Sequence, residues 1–164
     1  MTTKVPAARR SPRAALATLV LSTGVTRDDV AFARAFASCA LPASDFSHRG
    51  HLRVAWVYLR RRPFARAALC FGRHLRRYAG SLGAAGKYHE TLTWAYLVLI
   101  NERLRAAPPG ESFEAFLERC PELADPQGGL IGRYYDKAQL ASPEARQAFV
   151  LPRAKRTPDG SRGQ

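Results

Sequence analysis

The chain has 164 residues, 46% of them hydrophobic, and a net charge of +13. That length suits one domain with its own core, without a disulfide or metal staple. No apolar run reaches the ~20 residues of a membrane-spanning helix, and the widely spaced Cys39, Cys70 and Cys120 exclude a zinc ribbon or a CxxC redox motif. An odd number of thiols without a framework points to reduced cysteines and a cytoplasmic protein.

In chain order, residues 1–13 carry Lys4, Arg9, Arg10 and Arg13 and no acid, and "AALATLVL" follows. Charge followed by an apolar run is the order of a signal peptide, but this run is short and "TRDD" offers no cleavage site. Residues 1–25 therefore read as a disordered basic leader. Residues 26–152 read as one helical domain, and 153–164 as a disordered tail. Thr26 is placed to cap a helix to about Ala40, with Asp28 and Asp29 in its first turn. After the break at "LPAS", Ser44 or Asp45 can cap a second helix to about Arg62, which Pro63 ends. A third runs from Phe64 to Tyr78, with Phe64, Ala68, Phe71, Leu75 and Tyr78 on one face. "AGSLGAAG" is a loop, and a fourth helix runs from about Lys87 to Arg105. "APPGES" breaks the chain, and Ser112 caps a short helix to about Arg119. Short helices near 129–139 and 143–149 follow, the last opened by Ser142 and Pro143. The pattern has no period-two alternation and no repeat. It predicts an all-α, single-domain irregular bundle of about five to seven helices, with the helix at 87–105 central because most of its circumference is apolar.

Three histidines stand where two of these helices begin. On a wheel of ~100° per residue, His48 shares a side with Leu52, Ala55 and Leu59, and His51 lies about 60° away on the same broad face. His89 aligns with Thr93, Tyr96 and Ile100, whereas Tyr88 and Thr91 point elsewhere. If the two helix starts are neighbours, His48, His51 and His89 converge, with Glu90 and also Asp45 as nearby carboxylates. Three histidines with an open coordination position are the pattern of a catalytic metal site. A divalent metal (zinc, or iron or manganese if a carboxylate joins) is one reading. Glu90 would then be a fourth ligand or a general base, and His89 a ligand or proton handler. A metal-free polar pocket is a second reading, and imidazoles bonded to backbone at the core edge are a third. Lys87, Thr93 and Tyr96 are the candidate ligand-binding neighbours, Lys87 because free amides at a helix start favour anions. His74, set among arginines, reads as exposed.

The basic excess is nearly all arginine, since only Lys4, Lys87, Lys137 and Lys155 are lysine. From Phe46 to His89 there is no acid at all. Arg73, Arg76 and Arg77 lie opposite Phe71 and Leu75, forming a face of one sign. Such a face attracts phosphates without reading sequence, and no helix-turn-helix, zinc-finger or RNP-like motif accompanies it. Glu111, Glu114, Glu118 and Glu122 are expected to neutralise part of it.

"DFSHRGHLRVAWVYLRR", "GAAGKYHETLTWAYLVLINERL" and "LASPEARQAFVLP" together resemble a family of small, uncharacterised bacterial proteins, over about residues 30–152. The resemblance implies a bacterial, cytoplasmic protein with F-x-H-x-x-H-L and K-Y-H-E-T as hallmarks. Here these are His48, His51, Leu52, Lys87, Tyr88, His89, Glu90 and Thr91. It implies no activity. Two functional expectations follow from the residues. The first is a His-lined inter-helix pocket for a small molecule, in an enzyme that can be metal-dependent. The alternative is a non-enzymatic binding or accessory protein that uses its arginine face on nucleic acid or an acidic partner. The sequence specifies no oligomeric state.

Overall fold

The computed structural model describes residues 23–125 and 129–153. Most of the basic leader (1–22) and of the tail (154–164) lies outside the described residues. The described chain is all-α, with no β-strand. Among the described residues seven α-helices follow one another: α1 (Arg27–Ala37), α2 (His48–Arg61), α3 (Phe64–Ser81), α4 (Glu90–Arg105), α5 (Phe113–Arg119), α6 (Lys137–Ala141) and α7 (Pro143–Gln147). Single 3₁₀ turns at Ala43–Asp45, Ala85–Lys87, Pro121–Leu123 and Ile131–Arg133 join them. No helix among the described residues is long and apolar enough to cross a membrane.

Helix α2 lies between α1, α3 and α4, and α4 packs in turn on α2, α3 and α7. The buried cluster they share includes Phe36, Trp56, Ile100 and Phe116, all fully enclosed. Eight residues of α2 are buried. At about 1.5–3 kcal/mol for each large apolar side chain enclosed, packing outweighs the few tenths that helix propensity contributes per residue.

The caps explain the register. Thr26 and Asp29 form a reciprocal capping box on α1. The same Asp29 carboxylate accepts a 2.7 Å bond from Arg53 Nε on α2, so one buried acid ties the two helices together. Burial works against its ionisation, but the bonds from Thr26 and Arg53 prevail and hold its pKa below the ordinary carboxylate value. Helix α2 starts later than its Ser44 or Asp45 candidates, at His48, with Ser47 as N-cap. The reason is Phe46. Its ring turns inward and stacks on Phe36, with centroids 4.7 Å apart, and that requires a break between the Ala43–Asp45 turn and the helix. Helix α3 runs three residues beyond Tyr78, to Ser81. Helix α4 starts at Glu90, three residues after Lys87, because Tyr88 and His89 are extended.

Two glycines are required by close approach. Gly24 has φ +69°, and a Cβ there would sit 1.9 Å from the Glu111 carbonyl oxygen. Gly50, one turn into α2, would place a Cβ 2.8 Å from the Asp45 carbonyl oxygen. The turn before α2 therefore rests directly on the helix backbone.

Candidate functional site

Helices α2, α3 and α4 and the turns before α2 and α4 enclose a cavity of about 520 Å³. Its floor is apolar and buried: Leu52 and Ala55 from α2, Phe71 from α3, Leu97 and Ile100 from α4. Ala43, Leu82 and Lys87 line it at exposed positions and so form its rim. His48, His51, His89, Lys87, Thr93 and Tyr96 all line this one cavity, so the two helix starts are neighbours.

The imidazoles differ in what they have free. His51 Nδ1–H donates to the Ser47 carbonyl at 2.9 Å, and its ring packs on Phe46 with centroids 3.8 Å apart. The other nitrogen, Nε2, keeps an unengaged lone pair. Burial pushes the His51 pKa below its ordinary value, and His48 nearby pushes it the same way, against the Ser47 bond. The ring is thus neutral at pH 7. His48 Nε2–H donates to the Leu123 carbonyl at 2.8 Å, and its ring meets Tyr96 edge-on at 5.5 Å. That leaves His48 Nδ1 as a second open ring nitrogen.

His89 has neither nitrogen free. It is the N-cap of α4, with Nδ1 accepting from Leu92 N–H at 3.3 Å, while Nε2–H donates to the Leu140 carbonyl at 2.9 Å. A ring with both nitrogens committed to backbone cannot also ligate a metal or carry a proton without releasing the helix start. Only two nitrogens of the three imidazoles are therefore open, and among the described residues no group of three or more His, Cys, Asp or Glu side chains is placed to hold a metal ion.

Glu90 does not line the cavity. Its carboxylate accepts from Tyr88 Oη at 2.6 Å, from Trp94 Nε1 at 2.8 Å and from Arg76. Burial raises its pKa, but these bonds outweigh burial and leave it lowered. A carboxylate with three donors and a depressed pKa is a weak base, and its role here is to fasten α4 to α3. The Tyr88 hydroxyl is pushed up to about 12, by burial and then by its bond to Glu90. Tyr88 nonetheless lines the cavity, as does Tyr78, whose hydroxyl donates to the Leu41 carbonyl. The helix wheel had turned Tyr88 away, but that residue precedes the helix and does not follow its period.

The remaining polar groups sort simply. Thr93 Oγ1 donates to the His89 carbonyl at 2.8 Å. The Tyr96 pKa is raised, by burial first and by Asp125 second, so its phenol stays protonated and able to donate. Lys87 has no carboxylate within ion-pairing distance among the described residues. Thr91 is fully buried; it donates to the Ala148 carbonyl and accepts from Val150 N–H, which pins the segment after α7 to α4.

The arginine band is only partly neutralised. Arg49 pairs with Glu114, Arg53 with Asp29 and Arg76 with Glu90. Glu111 and Glu122 instead pair with Arg119 and Arg103, outside the band. His74 is half-buried rather than exposed, with Nδ1 2.5 Å from Tyr58 Oη. No protein-family model, curated protein or solved structure matches this chain.

Proposed function

We propose that the protein binds a small, largely apolar molecule between α2, α3 and α4, with His48 and His51 as its polar contacts inside. The carrying observation is the cavity of about 520 Å³ with an apolar floor and two open imidazole nitrogens. Cavities of this size and lining are the usual form of small-molecule sites. His51 is the group suited to take a hydrogen bond or a proton from the bound molecule. Its Nδ1–H is anchored on backbone and its Nε2 is open, the arrangement general bases use. If the bound molecule is turned over, His51 acts as base and Glu90 does not. The test uses N-phenyl-1-naphthylamine, a neutral fluorophore that brightens in apolar sites. Saturable, one-to-one brightening is expected, and Ala55→Phe, which places a ring on the cavity floor, should abolish it while the helical content is kept. Absent brightening, or brightening indifferent to Ala55→Phe, would overturn the reading.

A second reading rests on α3. Arg61, Arg62, Arg66, Arg73 and Arg77 are exposed, and no carboxylate among the described residues is within ion-pairing distance of them. Guanidinium groups without a carboxylate partner, at the end of α2 and along α3, suit the phosphates of a nucleic acid. Binding of a short DNA duplex should then weaken steeply with salt, and Arg73→Glu with Arg77→Glu should lower affinity at least tenfold. Salt-insensitive binding counts against this reading.

A further inference from the structure

The lining of the cavity has a one-sided charge. It contains no Asp, Glu, Arg or Cys, and its only side chain with a permanent charge is Lys87. Lys87 stands at the rim, exposed, in the Ala85–Lys87 turn that leads to α4, without an acidic partner among the described residues. Below it the walls are mostly Leu, Ala, Ile and Phe, with Tyr78, Tyr88, Thr93 and Tyr96 among them. The cavity therefore has a cationic rim and an apolar floor.

The interior polar groups narrow the choice further. His48 Nδ1 and His51 Nε2 are the ring nitrogens left open, because each opposite nitrogen donates to a carbonyl, and burial favours the neutral form of His51. A second anionic group beside these half-buried rings would be partly desolvated with no permanent cation next to it, which is unfavourable. A donor such as a hydroxyl or N–H suits these open nitrogens, while the Tyr96 phenol, edge-on to His48, can serve one acceptor. One ammonium at the rim matches one negative charge, and a partly solvated position spares that charge full burial.

We infer that the ligand is an amphipathic monocarboxylate, its apolar body on the cavity floor and its carboxylate at the rim against Lys87. This rests on the cavity reading above and names the chemical class of its occupant. A phosphate monoester or a dicarboxylate would bring more negative charge than the rim can match. A neutral hydrocarbon would leave Lys87 without a role.

The experiment compares decanoate with decanol, two chains of the same length that differ in head group, by calorimetric titration at pH 7.5. The wild-type protein should bind decanoate at one site, about tenfold tighter than decanol. Lys87→Met should remove that preference and leave decanol affinity unchanged. Because the Lys87 side chain is exposed and makes no hydrogen bond or ion pair among the described residues, this variant should keep the wild-type helical content and urea midpoint. Ala55→Phe, or Ala79→Phe nearer the rim, should block both compounds. If decanol binds as tightly as decanoate, or Lys87→Met leaves the preference intact, the carboxylate inference fails and the cavity reading stands. If neither compound binds, and N-phenyl-1-naphthylamine does not either, both fail together.

Discussion

His89 shows how one residue type serves two ends in one cavity. His51 and His48 each spend one nitrogen on backbone and keep the other, whereas His89 spends both. Its contribution therefore belongs to stability. Losing an N-cap costs about 1 kcal/mol, and a buried carbonyl left without a donor costs about 1–3 kcal/mol more. His89→Ala should lower unfolding free energy by roughly 2–4 kcal/mol on these terms. His89→Asn should recover part of the loss, because Asn caps a helix well but is too short to reach Leu140 in place of the ring. His51→Ala should change stability much less and act on ligand affinity instead. Urea denaturation of the three variants separates the roles. An unchanged midpoint in His89→Ala would remove the structural assignment.

At the scale of elements, the parts legible in the sequence were those encoded locally. Thr26, Ser112 and Ser142 cap helices where their neighbours predicted, and Pro63 separates α2 from α3. The inward face of α2 was legible too, which is why His48 and His51 were expected in a pocket and do line one. What was not legible depends on partners far along the chain. His48 reaches the Leu123 carbonyl, 75 residues away, and His89 reaches that of Leu140, 51 residues away. No periodicity encodes such bonds, so three histidines read as three equivalent candidates. Glu90 misled for a related reason. It is one residue from a cavity histidine, but its helical position turns it toward Arg76 and Trp94. The start of α2 was misplaced because the packing of Phe46 against Phe36 is invisible to a capping rule. That packing makes Gly50 a sensitive position. Alanine there gains up to about 1 kcal/mol in helix propensity, but its Cβ would press on the Asp45 carbonyl at 2.8 Å. Overpacking against backbone costs about 1–3 kcal/mol, so Gly50→Ala should destabilise by about 1–2 kcal/mol. It should also weaken binding in the cavity, because Ala43 and Phe46 move with the turn. Stabilisation of the variant by about 1 kcal/mol would mean that the turn does not bear on α2.

Taken as a whole molecule, the titrating groups set a defined stability profile. His51 is held below its unfolded value of 6.5 by burial, reinforced by His48. His74 is held below the same value by burial, then by Arg73, Arg77 and Arg62, with Tyr58 as its hydrogen-bond partner. For both, the unfolded chain binds a proton more readily than the folded one. Stability is therefore complete above pH 6.5 and declines as pH falls through that value. Asp29, Glu90 and Glu122 have lowered pKa values for the opposite reason, that hydrogen bonds and arginines favour their charge despite burial. They add a second decline below their unfolded values of 3.8 to 4.5. On the alkaline side, burial raises Cys120 above 9.0 and Tyr58, Tyr78, Tyr88, Tyr96 and Tyr135 above 10.0, so the folded state keeps protons that the unfolded chain gives up. Their stabilisation is present below those values and lost as pH rises through them. The urea midpoint should be level between pH 6.5 and 9.0 and fall on both sides, with the acid limb in two steps. Replacing His51 and His74 together by asparagine should shrink the upper acid step and leave the carboxylate step in place. If that double substitution leaves the upper step undiminished, neither imidazole is buried as a neutral ring, and His51 loses its claim to be the base of the cavity.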